Sequence, residues 1–150
     1  MSKLYVNEIH PKTAGGTITT TGLEPPLIHF YAQRDAGNVS ANQVVVFNNA
    51  YQNAGNAYDT STGIFTAPVS GLYWFGNTVL KNGGDCDVEI WIDGSPKVGK
   101  HSSRASNTHD STSWSGVFYL NANQNIKCVV SAGTVHSGNF WSTFTGYLIR

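Results

Sequence analysis

The residues best suited to bind a metal or move a proton are five histidines: His10, His29, His101, His109 and His136. No pair of them is spaced His-x-x-x-His, as two ligands on one face of a helix would be, so each reads as a solvated or singly hydrogen-bonded side chain. Asp59, Asp85, Asp87 and Asp93 could offer oxygen ligands to calcium, but the alternating acidic spacing of a calcium loop is missing, and Asp85-Cys86-Asp87 reads equally as a strand start after a turn. The run His109-Asp110-Ser111 contains the residue types of a hydrolase triad. Neighbours in sequence cannot orient one another as nucleophile, base and orienter, and no nucleophile elbow, phosphate loop or Cys-His pairing signal accompanies them. The expected catalytic, metal and cofactor sets are therefore empty, and the chain is expected not to be an enzyme.

Cys86 and Cys128 are too few for a disulfide framework. Each sits in an apolar alternation, which favours two buried thiols, with a bridge between neighbouring strands left open. Charged residues make up 12% of the 150, and the net charge is zero. That balance carries no basic footprint for nucleic acid. It also removes the mutual repulsion that keeps free proteins apart, so close association is tolerated. No apolar run approaches the 18 residues of a membrane span, so membrane insertion is not expected. The opening residues lack the apolar centre and cleavage site of a secretory signal, so synthesis in a cytoplasm without export is the expectation.

The elements that must carry these side chains are strands. Short apolar alternations separated by Gly, Asn, Ser and Pro clusters predict an all-β sandwich. Strands are expected over 27–33, 44–47, 71–80, 86–93, 113–120, 126–131 and 140–149, with short ones at 57–58 and 64–65. Segment 86–93 puts Cys86, Val88, Ile90 and Ile92 on one face, and Asp87, Glu89, Trp91 and Asp93 on the other. Segment 71–80 differs, because Tyr73, Phe75 and Val79 oppose Leu72, Trp74 and Leu80, leaving both faces apolar. Segment 140–149 behaves similarly, with Phe144 and Leu148 opposite Tyr147 and Ile149. Monomers rarely expose such surface, so association is expected. Residues 94–112 are polar and are expected to form a long exposed loop with room for one short strand. Trp91, Trp114 and Trp141 are candidates either for sugar platforms or for packing under loops and at a subunit seam.

Phe47, Asn53, Tyr58, Phe65, Gly71, Tyr73 and Phe75 fall at the spacings of a known signature, and 62–73 (TGIFTAPVSGLY) carries it most densely. The pattern resembles the globular head of complement component one, subcomponent q. Residues 116–120 and 144–149 are similar to late strands of that family and of the tumour necrosis factor superfamily. The resemblance covers about 28–149 and implies a ten-stranded jelly roll assembled as a homotrimer, with Leu72, Trp74 and Phe144 facing the three-fold axis. Asn77 departs from the signature, where an aromatic is expected, and so does Asn123-Gln124, in place of a Gly-Asp turn. No collagen-like Gly-X-Y stalk precedes the knob.

Residues 1–26 have a different character. Leu4, Val6 and Ile9 are too few to build a core, and Pro25-Pro26 closes the segment. The start, SKLYVNEI, resembles that of head- and tail-fibre proteins of bacteriophages, particularly those of marine cyanobacteria. It implies an arm, 1–26, anchored to phage capsid or tail proteins through Leu4, Val6 and Ile9, and a jelly-roll knob, 27–150. In this reading the protein is a fibre or capsid-decoration protein of the virion, assembled in the host cytoplasm. Its loops at 94–112 and 131–139 would be free to meet a host-surface receptor or glycan. The alternative implied by the same knob is a complement- or cytokine-like receptor-binding module of a cell. The neighbourhood of the coding gene separates the two.

Overall fold

A computed structural model describes residues 27–103, 109–138 and 140–149. Every regular element among the described residues is a strand. In chain order they are β1 (His29–Gln33), β2 (Val39–Ser40), β3 (Gln43–Val44), β4 (Asn49–Ala54), β5 (Tyr58–Asp59), β6 (Ile64–Thr66) and β7 (Gly71–Lys81). There follow β8 (Cys86–Ile92), β9 (Ser95–Ser102), β10 (Asp110–Leu120), β11 (Asn125–Ala132), β12 (Thr134–Val135) and β13 (Thr143–Leu148). The strands outnumber the ten of the expected jelly roll because β2, β3, β5 and β12 are two-residue fragments.

The strands form two antiparallel sheets. One runs β2-β12-β7-β13-β1-β4, with β10 along the other edge of β7, and the other runs β5-β6-β11-β8-β9, with β3 also on β11. Alternation along β7 and β8 decides what lies between them. Tyr73, Phe75 and Val79 point inward from one sheet, and Cys86, Val88 and Ile90 point inward from the other. The centre is aromatic. Phe30 stacks on Tyr58 with centroids 4.6 Å apart, and Phe144 meets Phe30 edge-on at 5.0 Å. Such pairs add about 0.5–1.5 kcal/mol each beyond their burial.

Polar side chains pin the corners of the sandwich. Asn53 brackets Tyr58: its Nδ2 donates to the Tyr58 carbonyl (2.8 Å) and its Oδ1 accepts the Tyr58 N–H (3.2 Å). The Tyr58 hydroxyl accepts the Phe47 N–H (3.1 Å), which ties three signature positions together. Asp93 accepts the Asn125 N–H (2.9 Å) and the Gln124 side chain (2.6 Å). That bond gives Gln124 its place in a turn where Asn123 adopts φ 70°.

Residues 94–112 are not one long loop. Ser95–Ser102 is the full-length strand β9, paired to β8 from Cys86↔Ser102 to Ile92↔Ser95. Its solvent-facing edge position and the Pro96 beside a register shift explain the weak alternation. The expected arm, with Leu4, Val6 and Ile9, lies outside the described residues.

Candidate functional site

The catalytic readings can be settled on geometry. At the start of β10, Asp110 Oδ1 accepts the Ser111 N–H (2.9 Å), while His109 Nδ1 faces the Lys81 carbonyl at 3.3 Å. Asp110 and Ser111 occupy successive strand positions and so point to opposite faces, which gives no relay. Asp59 Oδ1 accepts both the N–H and the hydroxyl of Ser61 (2.8 and 2.7 Å) and so closes its own turn. The hydrogen bonds to Ser61, together with those to Thr62, hold its carboxyl below the usual range. Asp87 pairs with His101. Among the described residues, no group of three or more His, Cys, Asp or Glu side chains is gathered where it could hold a metal ion.

Both cysteines are free and fully buried. Burial pushes the Cys128 thiol up to about 12, against a hydrogen bond from Asn77 Nδ2 (3.2 Å) that favours the thiolate. Asn77 is itself buried, so the polar departure from the aromatic signature has a partner within the core.

The outer face of the first sheet is the distinctive surface. Residues paired across an antiparallel ladder share a face, and β7 pairs Leu72↔Tyr119 and Trp74↔Val117 on one side and Trp74↔Tyr147 on the other. These outward residues form an apolar band: Leu72 is 43% exposed, Val117 51%, Tyr119 62% and Tyr147 45%, with Ile149 beside them. Trp74 does not stand up from the sheet. Its indole lies over Gly76, where an added Cβ would come within 2.6 Å of the ring, and stacks on Tyr147. The other half of the same face is uncharged and hydroxylic. Thr78 and Ser113 share a hydrogen bond (2.8 Å), and with Trp74, Gly76, Ser115 and Thr145 they line a hollow of about 300 Å³.

Two of the three residues expected at the axis are therefore on the outer face, and one is not. Phe144 pairs with Asn77, shares its inward face, and is fully buried among Phe30, Phe47, Tyr58 and Phe75. The strand-13 contribution to the outer band is Tyr147, three residues on and of opposite parity. The register Trp74↔Tyr147 is the signal that identifies it, and only the paired sheet supplies that register.

Residues 29–149 match the sequence model of the C1q domain. The chain belongs to the C1q domain family. Domains of this family are non-enzymatic binding modules. Complement C1q tumor necrosis factor-related protein 3 of Mus musculus and that of Homo sapiens are each 28% identical over 111 residues, covering 72% of this chain and 45% of theirs. The chain thus spans less than half the length of these curated relatives. Among solved structures, the globular domain of zebrafish complement 1qA protein aligns with a TM-score of 0.68 at 20% identity, over 85% of this chain and 98% of that one. Eiger TNF from S. frugiperda aligns at 0.66 and 12% identity (84% and 94%), and murine APRIL at 0.64 and 15% (81% and 98%). The shared feature is the two-sheet jelly roll.

Proposed function

We propose that this chain is a homotrimeric binding module, in which the outer face of the first sheet is the subunit seam and the loops at the sheet ends meet the partner. The carrying observation is the exposed band of Leu72, Val117, Tyr119, Tyr147 and Ile149 on a C1q-type jelly roll. Domains of this family form homotrimers. Fully burying a large apolar side chain gives about 1.5–3 kcal/mol. Five half-exposed ones therefore offer roughly 4–7 kcal/mol per subunit, before association entropy is subtracted. Multi-angle light scattering of the full chain tests the reading. A mass of three times 16.2 kDa is expected at micromolar concentration, and a stable monomer there would sink it.

Two settings suit such a module. A complement- or cytokine-like ligand of a cell is supported by the family and by the relatives. A fibre or decoration protein of a phage virion is supported by the sequence of residues 1–26, in which Leu4, Val6 and Ile9 would pair with capsid or tail proteins. Capsid or tail genes beside the coding gene would favour the virion; their absence, with host genes around it, would favour the cellular setting.

A further inference from the structure

The sequence offers Trp91, Trp114 and Trp141 as platforms, and the structure separates them. Trp91 donates its N–H to Glu89 (2.7 Å) and has the Lys127 ammonium 5.7 Å from its ring. Trp114 stacks on Phe118 with centroids 5.3 Å apart. Trp141 is 64% exposed, has no hydrogen bond from its N–H among the described residues, and follows Phe140, which is 66% exposed.

The segment that carries these two aromatics is tied on either side of them. The Ser142 hydroxyl accepts the Leu80 N–H (3.0 Å), the Ser142 carbonyl accepts the Arg34 N–H (2.9 Å), and Ser137 donates its N–H to Asn38 Oδ1 (2.7 Å). Gly138 lets two rings close on the backbone. A methyl there would come within 2.9 Å of Trp141 Cδ1 and 3.0 Å of His136 Nδ1, a nitrogen that is itself buried without a partner. Phe140 adopts φ 72°, a left-handed conformation that bulky residues rarely take. Residues 136–142 contain no Asp, Glu, Lys or Arg, and the nearby Arg34 guanidinium is turned inward to the Val46 and Gly37 carbonyls. The loop is tied to Leu80, eight residues along β7 from Leu72, so roughly 27 Å from that end of the apolar band.

Two neighbouring exposed aromatics, on a stretch with no charged side chain of its own, fit the apolar faces of a pyranose ring, with the exposed Ser137 hydroxyl in the same loop to supply a hydrogen bond. From this we infer that Trp141 and Phe140 form a binding site for neutral carbohydrate at the loop end of the module. The inference rests on the reading of the chain as a binding module and gives its ligand class.

The test uses the full chain on an array of immobilised neutral, sialylated and sulfated oligosaccharides, with light scattering run in parallel. Retention on neutral glycans is expected, weakened at least tenfold by Trp141→Ala with the assembly mass unchanged. Phe140→Gly should also weaken binding while raising the melting temperature, because glycine relieves the left-handed strain. No retention of neutral glycans, retention of acidic ones alone, or binding indifferent to both substitutions would overturn the site. So would dissociation of the assembly by Trp141→Ala, which would make the pair a contact between copies. A monomeric wild-type chain that still bound neutral glycan through Trp141 would sink the trimer and leave this site standing.

Discussion

Trp74 and Tyr147 stack across the β7–β13 ladder, ring centroids 5.4 Å apart and planes 27° from parallel. The pair stiffens the middle of the outer face before any partner arrives, so the surface offered to a second copy is pre-formed. Trp74→Ser would remove the stack and open the floor over Gly76. The expected result is a monomer that still folds, less stable by about 1–3 kcal/mol, seen as a fall in mass by light scattering and a lower urea midpoint.

Leu72→Asp and Phe144→Ala should separate seam from core. Leu72 contributes mainly outward surface, so a carboxylate there should dissociate the assembly with little change in monomer stability. Phe144 is enclosed by aromatic rings, and its truncation should cost about 3–5 kcal/mol by denaturant melting. A Phe144→Ala variant as stable as the parent would show the inward assignment to be wrong.

Asn53 makes two hydrogen bonds to the Tyr58 backbone and so replaces a missing stretch of strand ladder. Asn53→Ala leaves the Tyr58 N–H without its acceptor and the Tyr58 carbonyl without its donor. A loss of about 1–3 kcal/mol is expected, with Asn53→Asp recovering only the acceptor half.

Alkaline pH should loosen the fold. Burial raises the Cys128 thiol from 9.0 to about 12, and burial also raises the Cys86 thiol and the Tyr58 hydroxyl. These groups are neutral when protonated, so the Cys128 contribution is complete below pH 9 and is lost as pH rises toward about 12, and burial of the other two acts in the same direction. For Cys128 alone the difference amounts to at most about 4 kcal/mol. Denaturant midpoints should fall steeply above pH 9, and Cys128→Ala should flatten that slope. At pH 8 both thiols should resist a thiol reagent until the protein unfolds.

Sequence alone reached the all-β class, the two-sided character of β7 and the burial of both cysteines, because inward and outward residues alternate strongly along the central strands. Strands β2, β4 and the two-residue β12 were not legible, and β9 only as a short strand inside a loop; β2, β4 and β9 each end a sheet, face solvent along much of their length and need no apolar pattern. Parity alone ranked the faces of neither β7 nor β13, since both faces of each are apolar; the family resemblance put Leu72, Trp74 and Phe144 together on the outer face, and the structure keeps the first two there and turns Phe144 inward. Only the cross-strand register decides whether Phe144 or Tyr147 stands beside Trp74, and register is a property of paired backbones that no single segment encodes. The same holds for Trp141, whose openness depends on Gly138, Ser142 and Leu80 meeting at one corner of the folded chain.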